Sequence, residues 1–220
     1  EGMEKTLSSQ KQIPFQMKFI NEQSVNFLLE EAPEMPRLIN YTEGHHTKSF
    51  IRKGIVGMLV GSGGVGKTHA LAQLAISITT GIPWFGKYPV EKIGYVFMGM
   101  GENSEEDIHR LLRKVVKKLF QEEITFFDKN PLLEASKRLA VASFNGTDSS
   151  FICKGQPTQS YELLLHELKE REPEEGWSCI ILDPISRFLG ADAETDNASA
   201  TRFVALLEKL TLELKGHPTV

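Results

Sequence analysis

Residues 61–68 read Gly-Ser-Gly-Gly-Val-Gly-Lys-Thr: a glycine, four residues, then Gly-Lys-Thr. That spacing is the signature of a phosphate-binding loop, with Gly61, Gly66, Lys67 and Thr68 in the fixed places. Glycine lets the backbone wrap closely around an anion, so that successive N–H groups point inward as a nest. In this chemistry the Lys67 ammonium reaches the β- and γ-phosphates of ATP, and the Thr68 hydroxyl binds Mg²⁺. A helix starting here aims its positive end at the phosphates. The candidate nucleotide contacts are Gly61, Ser62, Gly63, Gly64, Val65, Gly66, Lys67, Thr68 and His69, with Lys67 also a candidate catalytic residue.

Two acids are placed for the chemistry such a loop needs. Residues 178–183, Ser-Cys-Ile-Ile-Leu-Asp, form an apolar run ending in an acid. A buried strand that delivers Asp183 at its C-terminal edge supplies a second Mg²⁺ ligand beside the phosphate loop. Many strands end in Asp, and it is the loop upstream that favours the metal role. Glu102 follows a second apolar run, residues 94–98, and stands between Gly101 and Asn103. It reads as the group that orients the attacking water, against the plainer role of an acid at a helix N-terminus. Arg187 has three open roles: sensing phosphate, touching DNA, or pairing with the nearby Asp192, Glu194 and Asp196. His45-His46 has no acid or cysteine at ligand spacing and reads as a solvated loop.

The elements that must hold these residues follow from hydrophobic pattern. Residues 54–60 are a short apolar run without helical stripes, expected to be the buried strand feeding the loop. Leu71, Leu74, Ala75 and Ile78 repeat at helical spacing after it, and Gly81 stands where that helix stops. Ser104 is an expected N-cap, followed by Glu105, Glu106 and Asp107 in a first turn. The stripe Ile108, Leu111, Leu112, Val115, Val116, Leu119 and Phe120 gives that helix a buried face. Its basic residues from Arg110 to Lys118 read as a solvated face rather than a DNA patch.

Residues 139–142 are a candidate third strand. Residues 143–157 read as a long Gly/Ser/Asp-rich loop, a length usually functional or mobile. Residues 159–171 read as a helix, residues 184–197 as a loop, and Phe203, Val204, Leu207, Leu210 and Leu214 stripe a last helix. Trp84 and Phe85, in a loop marked by Pro83, Gly86 and Pro89, read as packing anchors rather than as a surface for a base or a neighbouring subunit. Residues 217–220 look like the start of a further strand. Residues 1–50 are expected to be an N-terminal arm, with a short helix at 25–29 broken by Pro33 and Pro36, and residues 51–220 the core.

Composition narrows the class. The 220 residues suit one domain with a small extra segment. A formal net charge of −4 gives no bulk electrostatic reason to bind nucleic acid or an anionic membrane. Any DNA contact must come from a local patch or from the lumen of an oligomer. No apolar run is long enough to span a bilayer. Two cysteines, Cys153 and Cys179, are too few for a disulfide framework and fit a reducing cytoplasm, with Cys179 a small core residue.

The order strand, phosphate loop, helix, strand, acid, helix, strand, strand, Asp resembles the RecA-like P-loop NTPases, α/β proteins with a mostly parallel central sheet flanked by helices. Gly101-Glu102-Asn103 with Ile108-His109-Arg110 is more specific. So are the stretch Leu182-Asp183-Pro184-Ile185-Ser186-Arg187-Phe188 and the stretch Asp196-Asn197-Ala198-Ser199. Together with the proline-broken arm they resemble the RepA family of hexameric plasmid replicative helicases. The resemblance implies that Glu102 activates water and Asp183 is the aspartate near Mg²⁺. It implies a homo-oligomeric ring, hexameric in that family, with ATP between subunits and single-stranded DNA as partner. It also implies that the core lacks its C-terminal strands here, with an arginine and a sensor residue beyond Val220. The competing reading is a non-motor RecA-like switch in regulation or recombination. A small-molecule kinase would want arginines in a mobile lid, and residues 143–157 hold none. A purely structural protein would not need so intact a loop.

Overall fold

The computed structural model describes residues 34–120, 129–190 and 196–220, with residues 29 and 31. Contacts divide the chain into residues 1–34 and residues 35–220, and every element named below lies in the second. The expected helix at 25–29 falls outside the described residues except for residue 29.

Strands β1 (Arg37–Glu43) and β2 (His46–Arg52) form an antiparallel hairpin. Most of residues 37–50, expected as part of an arm, are therefore strand. The cause is apolar burial: Leu38 and Ile39 enter the same hydrophobic cluster as the helix after the phosphate loop. Two backbone bonds fasten the hairpin there, Asn40 N–H to Pro89 O at 2.8 Å and Glu91 N–H to Leu38 O at 3.0 Å. His45 and His46 are exposed at the hairpin's turn.

Helix α1 (Lys67–Thr80) is bounded by Gly66 and Gly81, at φ 89° and 81°. Side chains rarely adopt that left-handed region, so glycine sets both ends. Strand β3 (Tyr95–Met100), helix α2 (Glu105–Leu119), helix α3 (Lys129–Arg138) and strand β4 (Leu139–Ser143) follow. A small hairpin, β5 (Ile152–Cys153) and β6 (Gln156–Pro157), leads into helix α4 (Gln159–Glu170). Strand β7 (Trp177–Asp183), short helix α5 (Ile185–Leu189) and helix α6 (Asn197–Glu213) complete the order.

The central sheet is parallel, in the order β4-β3-β7. Its strands are apolar on both faces because helices cover both, as parallel sheets require. Val96, Met98, Met100, Cys179 and Ile181 face α1 and α2. Phe97, Ile180 and Leu182 face α4 and α6, where Tyr161, Leu164, Phe203 and Leu210 pack. The chain is an α/β protein built on this parallel sheet. Ser104 caps α2 by accepting the Asp107 N–H, as the sequence leads one to expect. Thr158 and Asp196 cap α4 and α6 in the same way.

Further expectations fail, among them the loop at 184–197, where residues 185–189 form α5. Residues 54–60 do not form a ladder strand. Two bonds reach them, Gly57 N–H to Val220 O at 2.8 Å and Val220 N–H to Ile55 O at 3.0 Å. Val220 in turn follows Thr219, which bridges Cys179 of β7. The chain at 219–220 thus stands between β7 and residues 55–57, and beyond it Met58 and Val60 are exposed. A cavity of about 430 Å³ lies between these two edges, lined by Met58, Leu59, Leu74, Ile181, Phe203 and Val220 among others. Residues 143–157 are also no open loop. Phe151 is fully buried, its ring 5.2–6.1 Å from those of Phe188, Tyr161 and Phe203. Trp84 packs as expected, its indole N–H donating to Ala70 O at 3.0 Å, whereas Phe85 is 54% exposed.

Candidate nucleotide and metal site

The site is assembled where α1 begins and β3 and β7 end. Residues 61–66 form the loop, with Gly64 at φ 77° leading to Gly66. A Cβ on Gly63, Gly64 or Gly66 would meet nothing within 4 Å, so these three glycines border open space. Lys67 and Thr68 open α1, and His69 lies exposed in its first turn. The Lys67 ammonium donates to Gly61 O at 2.7 Å and to Ser62 O at 2.8 Å, which holds the charge over the loop.

The decisive contact crosses the chain. The Thr68 hydroxyl donates to a carboxylate oxygen of Asp183 at 2.6 Å. Asp183 is 8% exposed, at the tip of β7. The burial of β7 explains why an acid can be held so firmly: an apolar strand anchors it while its carboxylate emerges at the sheet edge beside the loop. The peptide bond from Asp183 to Pro184 is cis.

Glu102 stands at the neighbouring strand tip. Met100 and Asp183 are paired across β3 and β7, and Gly101 N–H donates to Asp183 O at 2.8 Å. Glu102 is the next residue and is exposed. The structure thus brings the loop, Lys67, Thr68 and Asp183 into one place, and sets Glu102 one residue beyond the backbone contact to Asp183. Of the acids grouped with Arg187, Asp192 and Glu194 lie outside the described residues. Asp196 is occupied as the cap of α6, where the Ser199 hydroxyl and the Ala198 and Ser199 N–H groups hold its carboxyl below the usual range.

Two contacts at this end of the sheet have no counterpart in the sequence reading. Arg187 Nε donates to Gly101 O at 3.2 Å, and the Ser143 hydroxyl at the end of β4 donates to Asn103 O at 2.6 Å. A lone serine closing a strand carries no signal in a single sequence. Among the described residues there is no group of three or more His, Cys, Asp or Glu side chains that could hold a metal, and no helix long and apolar enough to cross a membrane.

A phosphate loop opening a helix on a parallel sheet, with an acid on an adjacent strand bonded to the loop's threonine, defines a P-loop nucleotide-binding protein. A family model described as an AAA domain matches residues 23–220, and the chain belongs to that family of P-loop ATPases. No curated protein matches it.

Proposed function

We propose that the chain is a Mg²⁺-dependent ATPase of RecA-like architecture, the motor of a RepA-like replicative DNA helicase acting on single-stranded DNA. The observation that carries the ATPase half is the 2.6 Å bond between Thr68 and Asp183. A hydroxyl and a carboxylate are hard oxygen donors, and Mg²⁺ takes few such protein groups, completing its octahedron with water and substrate phosphates. The residues fit the ion. When bound, Mg²⁺ neutralises charge on the β- and γ-phosphates.

The chain's own residues supply the rest. Loop N–H groups from 61 to 66 and the Lys67 ammonium hold the phosphates. Thr68 and Asp183 offer the metal its oxygens, and Glu102 orients the attacking water. Phosphoryl transfer calls for positioning and charge compensation rather than covalent chemistry, and this set provides both.

The helicase half is supported by the motifs around Glu102, Asp183 and Asp196 and by the parallel sheet covered on both faces. With a net charge of −4, DNA contact must be local. Arg110, Arg113, Lys114, Lys117 and Lys118 are exposed on α2. A ring of copies, six in the helicase family the sequence resembles, would give single-stranded DNA a lumen and ATP a subunit boundary. The two free cysteines suit a cytoplasmic setting.

A second reading, a non-motor RecA-like switch, draws on a different observation. Phe50 and Phe85 are 50% and 54% exposed, and Phe50 stacks on Tyr88 at 4.6 Å. Aromatic surface of this kind suits a protein partner. The two readings separate in one experiment on the full-length protein. Motor function requires ATP turnover stimulated by single-stranded DNA, together with displacement of a paired strand, both lost in Glu102→Gln. Turnover indifferent to DNA, without strand displacement, would leave the switch.

A further inference from the structure

The two backbone carbonyls that bracket Glu102 are each held by a side chain that the proposed chemistry does not use. Gly101 O accepts from Arg187 Nε at 3.2 Å, and Asn103 O accepts from the Ser143 hydroxyl at 2.6 Å. Gly101 N–H is tied as well, to Asp183 O at 2.8 Å. The three residues 101–103 are therefore fastened to the tip of β4 on one side and to β7 and α5 on the other.

The fastening is close. A Cβ on Gly101 would lie 2.6 Å from Arg187 Cβ and 2.8 Å from its Cγ, so only glycine admits α5 at this distance. Arg187 is itself located by its backbone: its N–H donates to Pro184 O at 3.1 Å and its carbonyl accepts the Ser149 hydroxyl at 2.9 Å. The Ser150 hydroxyl and N–H hold the Asp148 carboxyl below the usual range, and the Arg187 charge adds a smaller contribution. Ser143 also accepts the Asn145 N–H at 3.3 Å, which orients its hydroxyl proton toward Asn103 O.

We infer that Arg187 and Ser143 are positioning residues that clasp the peptide units on either side of Glu102 and thereby set where its carboxylate stands relative to the phosphate loop. The inference rests on Glu102 as the water-orienting group. A displacement of about 1 Å at such a group costs on the order of 100-fold in rate. Arg187 then acts through the backbone of residue 101, neither on phosphate nor on DNA.

The test uses the full-length protein, with ATP turnover, affinity for a fluorescent ATP analogue, and the unfolding midpoint read for each variant. Arg187→Ala and Ser143→Ala should lower kcat roughly 10- to 100-fold while analogue affinity stays within about twofold of wild type. Ser143→Thr, which keeps the hydroxyl, should recover most of the rate. Neither alanine should add to the loss in a Glu102→Gln background, because a group that acts through Glu102 has nothing left to position. Ser143→Ala removes a single oxygen, so it keeps the test readable if Arg187→Ala unfolds early. Wild-type kcat in Ser143→Ala, failure of Ser143→Thr to recover the rate, a loss of affinity in Arg187→Ala matching its loss of rate, or a further loss on Glu102→Gln would each overturn the clasp. Full turnover by Glu102→Gln alone would instead remove the role of Glu102, and the clasp with it.

Discussion

Thr68 and Asp183 are 115 residues apart in sequence and 2.6 Å apart in space. That pairing turns a glycine loop from a flexible turn into a candidate site for a triphosphate and its metal. The loop was legible because its chemistry is local: glycines, lysine and threonine must stand at fixed spacing for the backbone to close on an anion. Asp183 was legible as the acid ending an apolar run. The contacts of Arg187 and Ser143 were not, since each joins segments far apart in the chain, 86 residues for Arg187 and Gly101 and 40 for Ser143 and Asn103. Lys67→Ala should abolish ATP turnover, measured as phosphate release at saturating ATP and Mg²⁺. Wild-type turnover in that variant would show that the ammonium over Gly61 and Ser62 serves the loop's shape alone.

Among the elements, helices were easier to read than strands. The stripe on α2 and its Ser104 cap are periodic and local, and both are present. The expected strand at 54–60 is apolar in the right way, but a strand exists only through its neighbours. Among the described residues its backbone bonds are with Val220, at Ile55 and Gly57. The stretch 143–157 misled in the opposite sense, because its polar composition conceals one buried aromatic anchor. Phe151 is fully buried, so Phe151→Ala should destabilise the protein by about 3–5 kcal/mol in urea unfolding. A cost under about 1 kcal/mol would mean that the segment is not anchored by that ring. The cysteines give a second measurement. Burial pushes the Cys179 thiol up to about 12, so at neutral pH it stays protonated and poorly nucleophilic, while Cys153 is exposed. Native protein should therefore titrate one fast thiol with a disulfide reagent, and that thiol should vanish in Cys153→Ser.

For the molecule as a whole, firmness should fall from the sheet toward the loop. Strands β3 and β7 share a parallel ladder between two helical layers, whereas residues 58–60 lie beside a cavity with Met58 and Val60 exposed. Amides at 58–61 should exchange hydrogen early, and those of Val96 to Met98 late. Equal protection across both segments would contradict the edge described here. The same gradient suits a site that must admit a nucleotide, since binding segments are drawn from the less stable parts of a fold. The net charge of −4 supplies no bulk attraction for a polyanion.

The central claim is that Thr68 and Asp183 together offer oxygens to a metal that ATP brings with it. Its most direct measurement is the affinity of a fluorescent ATP analogue, titrated with and without Mg²⁺, for wild type and Asp183→Asn. Mg²⁺ should tighten binding to the wild type, and most of this gain should disappear in Asp183→Asn, with metal-free affinity little changed. An undiminished gain from Mg²⁺ in Asp183→Asn would contradict it.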